Sequence, residues 1–551
     1  MPSLPVVERL VPVSERARDL AQAARPEAPR YGGKLEIGTV YVTLSALSFD
    51  PNDWNWKLNH DTGQYLEQLF QGDLSKAKSR GGPHAFVADG YLPQDAIKGE
   101  LAESYELAAD GMSCTFKLRK DATFHDGAPV TSADVVASLK RWASRDSFGG
   151  VLAKSVTDYA TPDDKTFVIK LKAPFGVMLE ALGKPSSNVP FIMPARIAAT
   201  PGSEQIKENI GSGPYKFVQA EYKPGERLVY VKNEKYKSRT EAPNGTTGGK
   251  PVFVDRVEWV IIRDPQTQFN ALVAGEVDII EQPTFEQYAS LKSTKGVQIV
   301  DAQPAGLQYI FRFNHKHPPF DNVKIRQAAM VALGQEQHLK AQVGAPGMYK
   351  FCKSMFPCGT PYASDNTGIY TGSADPKKAA QMLKDAGYKG EPVLLMRPTD
   401  LASIAKLPLV AKQQLEAAGF KVDMQQMDWA TLVARRAKKD APAAGGWNAF
   451  MTAWTAGDIQ NPLTMAMMNA AGDNGWFGWQ DDKQIEELKV KFAQAGSDAE
   501  KKKLAEQLQL RAIETVSHVH LGQYNNPAAV RDNISGIVPA GAQVYWNVKK
   551  N

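Results

Sequence analysis

No apolar stretch in these 551 residues is long enough to cross a membrane. There is no block of basic residues either. The net charge of +5 is spread along the chain, whereas a nucleic-acid partner would need clustered Lys and Arg. The longest run, Lys501-Lys502-Lys503, follows Ser497 and Glu500, a capping box, and reads as the solvated face of a helix. G-x-S-x-G and H-E-x-x-H are both missing, which removes two familiar routes to hydrolysis. Gly211-x-Gly213 is followed by a hairpin rather than a helix, and Gly245 to Lys250 lacks the Walker spacing, so neither is a phosphate loop. Internal repeats and low-complexity tracts are absent. Residues 1–30 hold five Arg and four acidic residues around no clean apolar core. They do not read as a secretory signal, and a poorly ordered leader is expected there. Cysteine is scarce, with three in the chain. Cys114 lies on the apolar face of a strand and reads as a buried thiol. Cys352 and Cys358, in FCKSMFPCGTPY, are either free thiols or, in an exported chain, a disulfide closing a small loop.

What is present is ordinary for a globular protein. Hydrophobic residues make up 43% and charged residues 23%, so a chain this long should form two or three domains with large cores. The most legible stretch runs from Leu101 to Trp142. Cys114, Phe116 and Leu118 alternate with polar residues, as a half-buried strand requires. Asp110-Gly111 and His125-Asp126-Gly127 are turns. Thr131 caps a helix with Asp134 at its third position, and Val135, Val136 and Leu139 give that helix an apolar side. Phe167, Ile169 and Leu171 repeat the strand pattern, as do Val257, Trp259 and Ile261. Phe269, Leu272 and Val273 form a helical face ended by Gly275. Asp375 and Pro376 open a helix that stops before Gly387. Leu407, Ala411, Leu415 and Ala418 stripe another, ended by Gly419, before a strand carrying Val422 and Met424. Gln64 to Phe70 reads as helix-like, and Val544, Trp546 and Val548 as a short strand. Alternating strands and helices indicate α/β layers.

The order LAESY…DG…FKLRKDATFHDGAPVTSADV resembles the signature segment of the family 5 extracytoplasmic solute-binding proteins. These are receptor subunits of ABC importers for dipeptides, oligopeptides, nickel chelates, opines and some sugars. A second resemblance lies in Gly211, Gly213, Pro214, Tyr215, Pro224, Gly225, Asn233 and Tyr236. ALVAGEVDI and PPFDNVKIRQAAMVALG are similar to further segments of that family, so the likeness covers nearly the whole chain. It implies a type II periplasmic-binding-protein fold of the three-domain, cluster C kind: two α/β lobes around a hinge, with a subdomain inserted in the first. On that scheme 1–30 is the leader and 31–60 opens lobe I. Residues 61–195 form the inserted subdomain, 196–303 continue lobe I, 304–520 form lobe II, and 521–551 return to lobe I. The resemblance implies capture and delivery rather than catalysis, with no cofactor. It also implies a periplasmic, monomeric chain that hands its solute to a membrane permease with ATPase subunits.

Candidate ligand contacts concentrate in residues 391–480. Five of the ten Trp lie between 429 and 479, interspersed with Met. Together they offer either a core or an adaptable cleft surface. Trp429, Trp454, Trp476 and Trp479 are the candidates, and the glycines of NGWFGWQ place the last two at a cleft edge. Arg397-Pro398 resembles the family position that holds a peptide's terminal carboxylate, for which a guanidinium fork is well shaped. Trp454 to Pro462 resembles the Trp-x-x-Asp segment whose Asp holds the α-ammonium. Here Gly457 takes that spacing and Asp458 follows one residue later, with Asn461 nearby. Either Asp458 substitutes or the clamp is absent. The expected ligand is a dipeptide or short oligopeptide. An opine or other amino-acid-derived carboxylate, a sugar, or a metal chelate held by His518 and His520 are the alternatives. A chaperone-like peptide binder or a hydrolase would be a different class of protein. His315-x-His317 and His518-x-His520 are the two histidine pairs to check for metal, against plain loop and packing roles.

Overall fold

The computed structural model describes residues 31–40, 50–52, 62–64, 66–72, 96–184, 188–303, 305–540 and 543–551. The leader expected over 1–30 lies outside them. Three main sheets organise the chain, in keeping with the α/β expectation.

The first is seven-stranded. Its order is Val297–Val300, Ala528–Arg531, Ile279–Ile280, Lys34–Thr39, Arg256–Ile261, Arg227–Lys232 and Tyr215–Phe217. The central strand Lys34–Thr39 runs parallel to both neighbours, and Leu35, Ile37, Val257 and Trp259 are buried. The helix Pro265–Ala274 joins two of these strands. Asp264 caps it by accepting from the Thr267 amide, and Gly275 ends it in the left-handed region at φ +79°. Of its expected apolar face, Leu272 is buried while Val273 is 50% exposed; Gln268 and Ala271 occupy the buried side instead.

The second sheet is six-stranded, in the order Tyr349–Lys350, His518–Tyr524, Leu307–Phe313, Ala449–Thr455, Pro392–Pro398 and Lys421–Met427. Every residue of Leu307–Phe313 is buried, as expected of a strand covered on both faces. The helices Pro376–Asp385 and Leu407–Ala417 stand where their start and stop signals put them. Cys352 and Cys358 are disulfide-bonded.

The third sheet, four-stranded, comprises Ala102–Leu107, Ser113–Leu118, Thr166–Leu171 and Val156–Asp163. Cys114, Phe116 and Leu118 face its core, opposite Phe167 and Ile169. The helix Ser132–Ala143 covers it. Thr131 and Asp134 form the expected capping box, and Val135, Leu139 and Trp142 are buried.

Two local expectations fail. The described part of 64–70 is not helical: Glu67 bridges to Ile192, and a strand starts at Phe70. Leu66, Glu67, Gln68, Leu69 and Phe70 are all buried, so this segment has no solvent face for an amphipathic helix to turn outward. Residues 544–548 carry buried Val544, Trp546 and Val548, but the strand pairing falls at Lys549–Lys550.

Between the inserted sheet and the seven-stranded one lies a buried ionic cluster. Lys250 Nζ sits 2.9 Å from Glu100 Oε1 and 3.4 Å from Glu67 Oε1, above the Trp546 ring at 5.0 Å. Ser212 and Tyr236 donate to Glu67 at 2.8 Å each. Burial pushes the Glu100 carboxyl up to about 7 against the pull of Lys250. Nearby, His125 joins two of the segments that carry the family likeness. Its backbone N–H donates to Gly211 O at 2.8 Å. The Gly211 N–H donates to its Nδ1 at 3.3 Å, and its Nε2 lies 3.1 Å from Gly213 O.

Candidate ligand-binding cleft

The chain passes from the seven-stranded to the six-stranded sheet between Val300 and Leu307, and back between Tyr524 and Ala528. The two crossings touch. Asn525 Nδ2 donates to Asp301 Oδ2 at 3.2 Å. Gly306 takes φ +71°, and a Cβ there would lie 2.4 Å from Tyr524 O. Only glycine lets these two strands of backbone run so close. Two short crossings side by side form a hinge, and the cleft opens beside them.

The first sheet contributes Thr39, Glu281 and Gln282 to the cleft wall; the second contributes Leu307, Thr452, Ala453, Thr455 and Tyr524. Leu401, Ser403 and Ile404 form one rim, while Trp429 and Asn526 complete the enclosure. Contacts bridge the cleft beside these walls. Lys406 pairs with Glu286. The Phe285 and Tyr524 rings meet at 5.9 Å, and at the crossing Tyr288 Oη donates to Asn526 Oδ1 at 2.7 Å. The inserted subdomain also reaches the second lobe. Ser147 Oγ donates to Leu463 O at 2.8 Å, the Gly176 N–H donates to Ala493 O at 3.1 Å, and Lys501 lies 3.5 Å from Glu180.

The candidates named from sequence divide. Trp429 opens the helix Trp429–Arg436, held by Asp400 Oδ1 accepting from its amide at 2.7 Å, and its ring lines the cleft. Arg397 is half-buried; its Nε donates to Ala405 O at 3.0 Å and its Nη1 to Gln426 Oε1 at 2.9 Å. It braces the 401–404 rim from behind. Asp458 is fully buried in the one-turn helix Ala456–Ile459 and accepts from Thr455 Oγ1 at 2.8 Å. Thr455, rather than Asp458, is at the cleft wall. Asn461 folds its own loop, its Oδ1 accepting from the Leu463 amide at 2.9 Å.

Trp454 is half-buried, edge-on to Trp476 at 5.4 Å. Trp476 and Trp479 are 3% and 6% exposed. Trp476 packs on Phe450 and under the Arg312 guanidinium at 5.1 Å, and Trp479 packs on Trp447 at 5.9 Å. The cleft-edge expectation for these two is therefore corrected: the glycines of NGWFGWQ shape a turn that folds both rings into the core of the second lobe.

His518 and His520 share a strand face with rings 6.2 Å apart, but His518 Nδ1 contacts Ser517 Oγ and His520 Nε2 contacts Lys353 O. Burial pushes both below the usual range, His520 to about 4, so both rings are neutral packing groups. His317 Nε2 turns to Lys439 O at 2.8 Å. Among the described residues no group of three or more His, Cys, Asp or Glu is placed to hold a metal ion.

Sequence reasoning missed Glu281. It ends the strand Ile279–Ile280 and is 3% exposed. Its Oε1 accepts from Trp259 Nε1 at 2.8 Å and from Tyr545 Oη at 3.2 Å. A charged residue directly after a buried strand at a sheet's cleft end was the available signal.

Residues 96–476 match the family described as bacterial extracellular solute-binding proteins, family 5 Middle. A probable peptide ABC transporter periplasmic-binding protein of Sinorhizobium fredii is 36% identical over 454 residues, 82% of this chain and 85% of that protein. A glutathione-binding protein of Pectobacterium atrosepticum is 29% identical over 437 residues, 79% and 77% of the two chains. Among solved structures, AgaA of A. tumefaciens in complex with agropinic acid superposes with a TM-score of 0.75 at 25% identity, covering 94% of this chain and 99% of that one. DppA of Helicobacter pylori in complex with the peptide STSA gives 0.76 at 20% identity, covering 95% and 98%. No helix among the described residues is long and apolar enough to cross a membrane. The two-lobed architecture, its hinged cleft and these matches agree: the chain belongs to the family 5 bacterial extracellular solute-binding proteins.

Proposed function

We propose that this chain is the receptor subunit of an ABC importer, closing its two lobes over one small peptide-like solute and passing it to a membrane permease driven by ATPase subunits. The observation that carries this reading is the narrow cleft beside two adjacent crossings, walled from both sheets by hydroxyl, amide and apolar side chains. Such a wall can meet a peptide backbone with Thr39, Ser403, Thr452, Thr455 and Asn526, and an apolar side chain with Leu401, Ile404 and Trp429. The names of the Sinorhizobium and Pectobacterium relatives point to peptides and glutathione, and the agropinic acid complex keeps an opine as the second reading.

On this reading the domain scheme is 31–60, 196–303 and 521–551 for lobe I, 61–195 for the subdomain and 304–520 for lobe II; the strand His518–Tyr524 carries the second sheet across the last boundary. The chain works as a monomer in the periplasm, where the Cys352–Cys358 bond is chemically at home. Arg397 acts by placing the rim, and Asp458 by placing Thr455. No bond in the solute is broken.

A solute bound only by the folded chain raises its melting temperature by mass action. Thermal-shift titration with dipeptides, tripeptides, glutathione, opines, sugars and nickel chelates should give a saturable shift from one peptide-like class, with the solute recovered unchanged. Trp429→Ala should weaken that binding about tenfold or more while leaving the unliganded melting temperature nearly unmoved. A shift from opines alone would select the second reading. Silence across the panel, or turnover of a peptide, would refute the receptor assignment.

A further inference from the structure

We infer that the inserted subdomain is a strap: its residues 175–182 close onto residues 492–501 of the second lobe as the cleft closes, and hold the solute-bound form shut from outside the cleft. This rests on the receptor reading above and deepens it.

The seam is built around Gly176. Its N–H donates to Ala493 O at 3.1 Å, and its carbonyl accepts from Lys501 Nζ at 3.4 Å. Lys501 also lies 3.5 Å from Glu180 Oε1, on the short helix Met178–Leu182. A Cβ on Gly176 would stand 2.6 Å from Ala495 O, so the two backbones meet at a distance that only glycine allows. Val177, Met178 and Leu179 are buried on one side of the seam, and Phe492, Ala493 and Ala495 on the other. Through these rows the apolar cores of the subdomain and the second lobe become one, separate from the core of the seven-stranded sheet. None of these residues is in the cleft wall.

The subdomain has two neighbours, and the nature of the contacts decides which seam parts. The chain enters it after Lys34–Thr39 and leaves it before Tyr215–Phe217, both strands of the seven-stranded sheet. Lys250 of the first lobe is sunk between Glu67 and Glu100, with all three side chains no more than 2% exposed. Withdrawing a buried cation from its carboxylates is expensive. The seam with the second lobe has no covalent link, and only neutral hydrogen bonds and the Lys501–Glu180 pair tie it. That seam is the one to open when the lobes separate. Each closure then removes its apolar rows from water again. A contact made only in the closed form favours that form by the same amount whichever solute is enclosed. Apparent affinity therefore rises by one common factor for every solute.

Gly176→Ala tests this in the full chain. The backbone at Gly176 is not left-handed, so alanine is tolerated wherever the seam is open, and its methyl obstructs the closed seam alone. Calorimetry with dipeptides and glutathione as probes should show each probe that binds wild type bound about tenfold more weakly by the variant, the scale of one overpacked contact. The factor should be common to all of them, and the unliganded melting temperature should stay where it is. Hydrogen exchange on wild type gives an independent reading. In the unliganded chain, peptides covering 174–183 and 492–501 should exchange faster than Ser113–Leu118, and a saturating dipeptide should slow both together. Unchanged affinity in Gly176→Ala overturns the strap. A fallen unliganded melting temperature, or exchange at 174–183 as slow as at Ser113–Leu118, also overturns it, because the seam is then a fixed part of the fold. If no dipeptide and no other peptide-like probe binds wild type, the receptor reading fails, and the unliganded exchange comparison still decides whether the seam opens.

Discussion

His125 offers a perturbation whose sign and size follow from two hydrogen bonds. The Gly211 N–H donates to Nδ1, so that nitrogen must be an acceptor. The proton then sits on Nε2, 3.1 Å from Gly213 O. Charging the ring would put N–H against N–H at Gly211. Burial adds to this and pushes His125 down to about 4, from an ordinary 6.5. The unfolded chain therefore takes up the proton first. The stabilisation is complete above pH 6.5 and is lost as pH falls from 6.5 toward 4. Linkage with those two values gives about 2 kcal/mol lost at pH 5; partial exposure of the ring reduces this to about 1–2 kcal/mol. His338 and His520 are also held down to about 4 by burial, so the wild-type profile alone mixes several groups. The informative quantity is the difference between wild type and His125→Gln in urea unfolding at pH 8, 7, 6 and 5. At pH 8 the variant should be about 1 kcal/mol less stable for its poorer hydrogen bonds. That gap should shrink or reverse by about 1–2 kcal/mol at pH 5. A gap that stays constant across the range would mean that the native ring is not held neutral, and the tautomer argument would fall.

Three further perturbations probe the frame of the cleft. Gly306→Ala puts a Cβ against Tyr524 O in a left-handed backbone and should cost about 3 kcal/mol; calorimetric unfolding within 1 kcal/mol of wild type would show that the crossings separate easily. Cys352→Ser opens a loop with a sequence separation of six, for which loop-closure entropy gives about 2 kcal/mol. An unchanged melting temperature under non-reducing conditions would contradict it. Lys250→Met leaves Glu67 and Glu100 buried without their cation and should destabilise the chain by about 3–5 kcal/mol at pH 8. Because the Glu100 carboxyl is already raised to about 7, acidifying to pH 6 should recover part of that loss, and a loss that grows on acidification would refute the charge assignment.

How much of this was legible in the sequence depends on the range of the force involved. The Thr131–Asp134 box and the strand Ser113–Leu118 are decided within a few residues, and both stand where the pattern put them. The segment around Leu66 to Phe70 and the tail from Val544 to Val548 are decided by what covers them. Each is largely buried between elements distant in the chain, so periodicity had little to report. The cleft lies at the far end of the same scale. Trp density marked the second lobe, yet composition cannot separate Trp429 on a wall from Trp476 and Trp479 in a core. That division is made by a turn that folds two rings inward and a helix N-terminus that holds one outward. The one-residue displacement at Gly457 was visible, but its consequence was not. A short helix carries Asp458 onto Thr455, and the acidic residue on the cleft wall is Glu281, held by Trp259 and by Tyr545 from the chain's far end. Fold was readable because strands and caps are local. The setting of Glu281 was not, because its side chain is held by residues 22 and 264 positions away, which only the assembled first lobe brings together.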